Sequence, residues 1–341
     1  MYKALQAKKT TPILVQNNNK EEKMHPNESQ EKQAAPQRRV TISHEVNEQA
    51  YNLTNWAQEY NQCSAGRFEG RVDECHFDGI QIINEYTNQT LYQQCITWPE
   101  AFWIGIPTQR EQFRINGQGV EQEDVLWRLG HHSFELMTPS DCHILSILIR
   151  RDELFALAER ESISVEHLAD SATPCLKSNT QQVDTLSLLV RQILTTTSDA
   201  MDTEIHKDML LQELLSLLDS GTLNSAKAPS YIHRRAVVDR VWDYLKASGD
   251  SPVTIAALCD IACVSRRTLQ YSFESILGIS PVQFLRAARL NRVRRQLLTH
   301  DGISIADAAA SQGFYHPSQF ALDYKRLFCE RPSDTLKRRL H

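Results

Sequence analysis

A short polar run near the C-terminal end, SRRTLQYSFE at 265–274, carries side chains suited to reading nucleic-acid bases. An arginine can bond guanine O6 and N7 together, and a glutamine amide can bond adenine N6 and N7 in the same bidentate way. In a helix, Leu269 and Phe273 would point inward and leave a polar face exposed. That face would carry Arg266, Arg267, Thr268, Gln270 and Tyr271. We predict that Arg267 and Gln270 contact bases and that Arg266 contacts phosphate.

A second run, HPSQFALDYKRLF at 316–328, is less basic than the first. The side chains that a helix over this run would expose are His316, Ser318, Gln319 and Asp323, with Lys325 and Arg326 towards its end. Lysine and arginine supply much of the affinity of a protein for a phosphate backbone. We therefore predict that the second run is the weaker of the two readers.

The elements that must position these runs form a repeat, because 254–278 and 304–328 align with one extra residue in the second turn. Each copy holds an N-cap residue, a small residue where two helices cross, a turn residue and the start of a second helix. In that order the first copy has Thr254, Cys259, Cys263 and Ser265, and the second has Ser304, Ala309, Gly313 and Pro317. This plan is typical of the helix-turn-helix, whose second helix enters the major groove.

One longer helix, from Pro281 to Thr299, is predicted between the two copies. Proline fits the first helical turn, and Ser280 before it can cap the free amides. At about 1.5 Å per residue this helix spans roughly 28 Å, near the ~34 Å between successive major-groove faces of B-DNA. We predict that its first half is buried between two bodies and its second half against one. A charge at Leu285 should then uncouple the two copies.

Charge is distributed unevenly along the 341 residues. From Ser230 to His341 there are 17 Lys and Arg against 10 Asp and Glu, whereas the rest of the chain has 20 against 32. The net charge of −5 therefore hides a C-terminal region of +7 on a body of −12. A basic region on an acidic body predicts a polyanionic partner for the C-terminal region alone.

The preceding chain alternates between polar, β-rich and helical patterns, which predicts an α+β protein. Helical spacing of apolar residues predicts a helix over 44–62, and short β-branched and aromatic runs predict strands over 68–150. Further helices are predicted near 152–160, 163–170, 181–197, 204–219 and 231–247. The predicted domains are a disordered tail (1–40), an effector-sensing domain (41–219), a linker (220–230) and an all-α DNA-binding domain (231–341). The last contains a first helix-turn-helix (254–273), a bridging helix (281–299) and a second helix-turn-helix (304–328).

Aromatic side chains in the β-rich part are candidates for an effector pocket. Trp98, Phe102 and Trp103 are concentrated enough to line a small-molecule site, but like Phe113 and Trp127 they could equally form the core of a sheet structure. The leucines of 204–219 leave a similar choice open. They could cover the β-rich domain or pair with a second copy of the chain in a homodimer.

Three motifs resemble those of the AraC/XylS transcription regulators over 254–334: VSRRTLQYSF, GISPVQFLRAARLNRVRRQLL and SIADAAASQGFYHPSQFALDYKRLF, followed by RP. The resemblance implies an all-helical DNA-binding domain that regulates transcription near a promoter, with RNA polymerase and a small-molecule effector as further partners. It also implies a β-rich N-terminal domain similar to cupins.

The sequence departs from this family pattern at a few positions. Cys263 and Cys329 stand where glycine is favoured, and a positive φ at either would cost on the order of 1 kcal/mol. Leu322 and Asp323 replace commonly polar or basic residues, and Thr335-Leu336 replaces a usual Tyr-Arg. These departures bear on the base specificity of the second copy and not on the fold.

Four shorter segments resemble regulators of ethanolamine-utilisation operons: WPEAFWIGIP at 98–107, VSRRTLQ at 264–270, LNRVRRQL at 290–297 and RPSDTL at 331–336. This resemblance implies an activator whose N-terminal part senses ethanolamine together with adenosylcobalamin. Composition and spacing do not themselves show a cobalamin site, and no histidine can be assigned to cobalt. DNA binding is expected to need no cofactor.

A cupin-type metalloenzyme is the main alternative from another class. His131 and His132 are adjacent, so on a strand they would point to opposite faces, and neither His76 nor His143 completes a His-x-His motif followed by a carboxylate. Cys259 and Cys263 have the spacing of half a zinc site, without a second pair. We predict no catalytic residue and no metal ligand. A DNA-binding regulator without any ligand stays open.

The sequence also bears on location. It has no apolar run of about 18 residues and no signal-peptide pattern at its N-terminus, so we expect a cytoplasmic protein without membrane contact. Its eight cysteines are scattered without a disulfide framework, which predicts reduced thiols.

Overall fold

Two regions of different secondary structure follow each other in the chain, antiparallel strands up to Arg150 and helices from Pro229 onward. The computed structural model describes residues 35–165, 168, 173–197, 200–223, 229–247 and 253–339. The predicted α+β class is therefore confirmed. Most of the predicted tail, residues 1–34, lies outside the described residues, but 37–40 begin the first strand and the predicted boundary at residue 40 is wrong.

The β-rich region builds two sheets in which all strand pairs are antiparallel. Its strands are β1 (Gln37–Ser43), β2 (Ala57–Gln62), β3 (Gly70–Phe77), β4 (Ile80–Thr87), β5 (Leu91–Ile96), β6 (Ala101–Pro107), β7 (Arg114–Ile115), β8 (Gln118–Gly119), β9 (Asp124–Leu129), β10 (Phe134–Thr138), β11 (Cys142–Arg150), β12 (Cys175–Lys177) and β13 (Thr222–Leu223). One sheet has the order β1-β3-β4-β11-β6-β9-β12-β13 and the other β2-β5-β10-β7-β8. The strands predicted over 68–150 are confirmed.

Side chains alternate along each strand, so the larger sheet buries both faces. On β6, Trp103 points between the two sheets, where it meets side chains from the smaller sheet such as Tyr60 and Phe134. Its neighbours Phe102 and Ile104 point to the opposite face, against a layer of helices. Two apolar cores therefore share one sheet, which explains why its central strands carry almost unbroken runs of apolar residues.

Helices cover the outer face of the larger sheet. They are α2 (Arg151–Arg160), α3 (Thr180–Thr195) and α4 (Thr203–Ser220), and a short α1 (Val46–Tyr51) lies earlier in the chain. Six leucines of α4 between 210 and 218 are buried in this layer, which favours the first of the two roles predicted for them, cover for the β-rich domain. Of the helix predicted over 163–170, residues 166–167 and 169–170 lie outside the described residues, 163–165 are not helical, and Leu168 is helical.

The helix predicted over 44–62 is wrong in its second half. The helix α1 ends at Tyr51, Asn55 takes a left-handed φ of 62°, and 57–62 form β2 against β5. Asparagine and threonine between 52 and 55 are weak helix formers, and asparagine tolerates the left-handed conformation. Strand pairing also buries Tyr60 completely, so tertiary contacts override the helical spacing.

The linker predicted at 220–230 is too long at both ends. Thr222 and Leu223 form β13, which pairs with β12. The next helix begins at Pro229, two residues before the predicted start at 231, because proline suits the first helical turn.

The C-terminal region is entirely helical in the described residues. Its helices are α5 (Pro229–Ala247), α6 (Ile255–Ala262), α7 (Arg266–Leu277), α8 (Pro281–Thr299), α9 (Ile305–Ser311), α10 (Pro317–Phe328) and α11 (Pro332–Arg339). We call α6 and α7 the first reading unit, and α9 and α10 the second reading unit. The bridging helix α8 and the second helix-turn-helix have the predicted limits, whereas the first helix-turn-helix, predicted to end at residue 273, continues to Leu277.

Local chemistry explains these helix limits. The side chains of Thr254, Ser280 and Ser304 each accept a hydrogen bond from a backbone N–H of the first turn, as predicted. Helices α6 and α10 end at Cys263 and Cys329, and both cysteines have a φ of 52°. Both cysteines therefore adopt the left-handed conformation whose cost was considered from the sequence, on the order of 1 kcal/mol each.

The bridging helix α8 has buried residues in both its first and its second half. Phe284 and Leu285 belong to the core of the first reading unit, and Leu290 and Val293 to that of the second. The second half was predicted to contact one body only, and this is wrong. Asn291 and Arg294 are also buried there, against the β-rich domain. The contact with the β-rich domain could not be predicted from the sequence, because polar residues such as these are usually exposed to solvent.

Candidate nucleic-acid interface

Helix α7 presents two unpaired arginines to solvent. Ser265 caps the helix through the N–H of Thr268, and Leu269 and Phe273 are buried, so the exposed face is fixed as predicted. Arg266 and Arg267 are exposed, and neither makes a hydrogen bond or ion pair with any residue that the structure describes. Both guanidinium groups are therefore available to an anionic or base-edge partner.

The other predicted contacts of α7 have local partners. The Thr268 hydroxyl lies 2.9 Å from Ser265 Oγ, and Gln270 Nε2 donates to Glu274 Oε1 at 2.5 Å. The Tyr271 ring, 60% exposed, lies 5.3 Å from the guanidinium carbon of Arg234. Gln270 must release Glu274 before its amide can pair with adenine, because that pairing uses both the donor and the acceptor.

On helix α10 the structure separates the predicted residues. His316, Ser318, Gln319, Lys325 and Arg326 are exposed, whereas Asp323, predicted to be exposed, is only 6% exposed. Its carboxylate accepts a hydrogen bond from Gln319 Nε2 at 3.0 Å and lies 3.8 Å from Arg286 Nε of α8. Leu322 occupies the outer face instead and is 64% exposed. An apolar residue there supports the prediction that α10 is the weaker reader.

Two clefts divide the surface around α10. One of about 360 Å³ lies between the two reading units and is lined by His316, Gln319, Arg286 and Arg289. The other, of about 610 Å³, lies between the second unit and the β-rich domain and includes Lys325. The structure thus brings His316 and Gln319 together but places Lys325 on another side of the unit.

Some basic residues near the reading units were missed by the sequence analysis. Arg234 packs over the recognition helix α7, and Arg286 is 52% exposed in its side chain at the cleft between the units. The arginines of α8 recur every third residue at 286, 289 and 292, a signal that could have marked one face of this helix. Arg289 and Arg292 instead donate to the carbonyls of Val253 and Leu245.

The three residues predicted to form an effector pocket do not converge. Phe102 and Trp103 are neighbours on β6 and point to opposite faces of the sheet. Phe102 stacks on Trp127 beneath the helices, at 6.0 Å between ring centroids, and Trp103 stacks on Phe134 between the sheets at 4.5 Å. Trp98 packs against the same interior cluster as Trp103. The pocket hypothesis therefore applies to Trp98 and Trp103 alone.

Two charged residues inside the β-rich domain were also missed. The Glu85 carboxylate is buried between the sheets and accepts hydrogen bonds from Gln49 Nε2 at 3.0 Å and from the Tyr60 hydroxyl at 3.1 Å. Burial raises the pKa of Glu85 to about 7. Burial likewise lowers the pKa of the Arg128 guanidinium to about 10. Isolated charges within strands gave no signal in the sequence, since a strand normally exposes such residues.

The histidines weighed as metal ligands do not form a metal site. The rings of His131 and His132 lie 4.4 Å apart in a turn, and His143 contacts Asn84 and the Tyr86 ring. Nowhere in the described ranges do three His, Cys, Asp or Glu side chains converge in a way that could hold a metal ion. None of the described helices has the length and apolarity needed to cross a bilayer.

Known proteins resemble part of this chain. Residues 258–338 match the model of a helix-turn-helix domain family. A 97-residue stretch is 36% identical to the "Probable thc operon regulatory protein" of Rhodococcus erythropolis, covering 28% of this chain and 29% of that protein. Another, of 167 residues, is 29% identical to XylDLEGF operon transcriptional activator 3 of Pseudomonas putida, covering 47% of this chain and 49% of that protein.

A solved structure also matches this chain. A probable AraC family transcriptional regulator from Rhodopseudomonas palustris is 33% identical, with a TM-score of 0.28, and the match covers 30% of this chain and 96% of that one. The chain spans less than half of the length of the two curated relatives. Both curated relatives are named as a regulatory protein or an activator of an operon.

Proposed function

We propose that this chain, whose C-terminal third is a helix-turn-helix domain of the AraC/XylS type, is a sequence-specific DNA-binding regulator of transcription. One observation carries the proposal: the capped helix α7 presents Arg266 and Arg267 to solvent without partners in the described structure. The net charge of +7 over 230–341 favours the same polyanionic partner.

The mechanism follows from the helices. Helix α7 lies in the major groove, where Arg267 and Gln270 meet base edges and Arg266 meets a phosphate. The second reading unit follows along α8 and meets the duplex about one helical turn away, where His316, Ser318, Gln319 and Arg326 face it. Because α10 is less basic, its contacts mainly orient the chain on the duplex.

Selection from random duplexes tests this proposal. The full chain is incubated with a library of random double-stranded DNA, and bound sequences are recovered and compared. We expect the recovered sequences to share a site with two short halves. The logarithm of the binding constant should fall linearly with the logarithm of the salt concentration, because bound Lys and Arg release condensed counterions. Recovery of no preferred sequence, or an affinity that salt leaves unchanged, would contradict the proposal.

We further propose that the chain is an effector-responsive activator of a catabolic operon, acting with RNA polymerase in the cytoplasm. Support comes from the relatives that are named operon regulators and activators and from the buried polar groups inside the β-rich domain. Reporter expression from a promoter carrying the selected site tests the sign of regulation. A fall in expression when the chain is present would indicate a repressor.

Ethanolamine is the effector that the resemblance of 98–107 and the C-terminal motifs suggests. A bound ammonium group would favour the ionised form of the buried Glu85 carboxyl, which Gln49 and Tyr60 hold in place. Adenosylcobalamin is the co-effector that the same resemblance implies.

Thermal unfolding separates the ligand-responsive regulator from one without a ligand. Ethanolamine at about 100 times its Kd should stabilise the full chain by about 2.7 kcal/mol, and the same titration is repeated with adenosylcobalamin present. In Glu85→Gln this stabilisation should disappear. A chain that binds its selected DNA but responds to neither compound would favour the ligand-independent alternative, or one sensing another small molecule.

A further inference from the structure

The first reading unit shares an apolar core with α5 and α8, and these two helices attach it to the β-rich domain through aromatic contacts and an ion pair between Arg235 and Glu135 at 3.1 Å. Tyr92 of β5 is fully buried and stacks on Trp242 of α5, with ring centroids 4.7 Å apart. The same ring meets Phe284 of α8 edge-on at 5.8 Å. Met137 of β10 belongs to this cluster as well. Apolar contacts of this kind are non-directional and tolerate small shifts.

The second reading unit is attached in a different way, through a network of hydrogen bonds. Gln62 N–H at the end of β2 donates to Asn291 Oδ1 at 3.0 Å, and Asn291 Nδ2 donates back to the Gln62 carbonyl at 2.9 Å. The Gln62 side chain and the Gly66 N–H both donate to the carbonyl of Leu327 in α10, at 3.0 and 2.9 Å. These contacts are directional and fail with small displacements.

Arg294 of α8 is the centre of this network, with a side chain only 5% exposed. Its Nε donates to both carboxylate oxygens of Glu45 in the β-rich domain, at 2.9 and 3.0 Å, and its Nη2 lies 2.7 Å from Glu45 Oε2. The Nη1 atom lies 2.7 Å from Glu330, just beyond α10. Nη1 also donates to the Tyr324 hydroxyl of α10 at 3.4 Å, so one guanidinium joins the β-rich domain, the bridging helix and the second reading unit. We call these contacts of Arg294, together with those of Gln62 and Asn291, the latch.

The surroundings of Arg294 hold it in place. The guanidinium carbon lies 4.4 Å from the centre of the Phe328 ring, and Glu330 accepts a bond from the Thr335 hydroxyl at 2.5 Å. Burial alone would lower the pKa of the guanidinium, but the bonds to Glu45 and the charge of Glu330 raise it above its ordinary value. Thr335, one of the departures from the family pattern, is fully buried, and its hydroxyl helps to hold Glu330 in position for Arg294.

Two short elements connect the latch to the interior of the β-rich domain. Glu45 immediately precedes α1, and Gln49 in that helix donates to the buried carboxyl of Glu85. On β2, Tyr60 also donates to Glu85, two residues before Gln62. The segment of α1 therefore contacts Glu85 through Gln49 and the latch through Glu45. Strand β2 contacts Glu85 through Tyr60 and the latch through Gln62.

We propose that Arg294 is a positioning residue for DNA reading: through Glu45 it fixes the second reading unit against the β-rich domain, and α1 and β2 make this bond sensitive to the state of the domain interior. The inference rests on the proposed DNA-binding function. The two units meet separate turns of one duplex, so fixing the second unit lowers the entropy lost when both bind. Binding both halves of a site should then depend on the latch, and binding one half should not.

The test compares full-length variants on the selected duplex, on the same duplex with its second half scrambled, and on a duplex with one base pair inserted between the halves. Glu45→Gln removes the charge in the β-rich domain without altering either reading unit. Arg294→Lys keeps the positive charge but cannot donate two parallel hydrogen bonds to the Glu45 carboxylate. Glu59→Gln is the matched control, because Glu59 pairs with Arg295 on the same helix but is 51% exposed.

We expect Glu45→Gln and Arg294→Lys to weaken binding to the two-half duplex about tenfold, since breaking a buried charge pair is costly. Binding to the one-half duplex should stay unchanged, and the penalty for the inserted base pair should shrink, because a loosened unit can follow a shifted half-site. Glu59→Gln should stay within about twofold of the original chain on every duplex.

Several results would overturn the proposal. Unchanged or tighter binding of Glu45→Gln to the two-half duplex contradicts positioning, and so does an equal loss on both duplexes, which would mark a general effect on folding. If the unsubstituted chain selects no DNA, the proposed function itself has failed and not the latch.

The link to the interior has its own measurement. Glu85→Gln should change the affinity for the two-half duplex, and this change should vanish when Glu45 is already Gln, since the two residues would act along one route. Additive effects of the two substitutions, or no effect of Glu85→Gln alone, contradict the link.

Discussion

The two reading units share one plan but are joined to the rest of the molecule by different chemistry. The first unit shares a buried aromatic cluster with the β-rich domain, built around Tyr92, Trp242 and Phe284. The second has its own small apolar core, without residues from the β-rich domain, and meets that domain through Arg294 and Asn291. Two repeats of similar sequence are thus attached to the β-rich domain by different contacts.

This difference shows how a regulator of this kind can divide its tasks. An apolar contact gains stability with buried area and changes little when groups move by a fraction of an ångström. A buried ion pair with hydrogen bonds needs accurate geometry, and breaking it leaves charges without partners. The first unit is therefore suited to stable attachment and base reading, and the placement of the second unit depends on whether the latch is intact.

The largest expected effect concerns the apolar attachment. Phe284, only 2% exposed, touches both Tyr92 and Trp242. Replacing it by Ala should lower the free energy of unfolding by about 3 to 5 kcal/mol, through lost burial and the cavity left behind. Chemical unfolding of the full chain measures this. Val282→Ala on the exposed side of the same helix is the control, with an expected loss below about 0.5 kcal/mol; equal losses would mean that the cluster does not hold the first unit.

Solution pH should change the stability of the chain through the buried carboxyl of Glu85, which α1 and β2 connect to the latch. The pKa of Glu85, about 7, lies above the ordinary value of 4.5, so the folded state favours the neutral acid. Stability from this shift is fully present below pH 4.5 and is lost as the pH rises through about 7, by on the order of 3 kcal/mol. Unfolding of the original chain and of Glu85→Gln across this range tests it. The fall should be absent in Glu85→Gln, and identical pH profiles would contradict the assignment.

Base reading should differ between the two arginines of α7. Arg267→Ala should cost about 1 to 3 kcal/mol of DNA affinity and relax the preference at one base position. Arg266→Ala should instead weaken binding to all sequences alike and reduce its salt dependence. Competition binding with single-base variants of the selected site distinguishes the two. A uniform loss for Arg267→Ala would reassign that residue to a phosphate.

The smallest effect is expected in the second unit. Gln319 is exposed but already pairs with Asp323 at 3.0 Å, so Gln319→Ala should reduce DNA affinity by less than about 1 kcal/mol. The same competition assay applies, with the second half-site varied. A loss as large as that of Arg267→Ala would show that both units read bases equally and would remove the asymmetry.

Much of the C-terminal architecture could be predicted from the sequence, because its signals are local. N-caps at Thr254, Ser280 and Ser304, a proline at position 281 and apolar residues at helical spacing each act within a few residues.

The latch could not be predicted in this way, for a physical reason. Glu45 and Arg294 are 249 residues apart, and each is charged, so each pattern indicates a solvent-exposed position. Asn291 and Glu85 are hidden for the same reason. The error over 44–62 has a related origin, since pairing of β2 with β5 is a long-range contact that helical spacing cannot reveal.

Hydroxyl-radical footprinting of the full chain on its selected duplex tests the central claim, two unequal readers on one face of DNA. We predict two protected patches about 10 base pairs apart, with Arg267→Ala weakening protection over the first patch far more than Gln319→Ala weakens it over the second. A single protected patch, or two patches that respond equally to their own substitutions, would contradict this account.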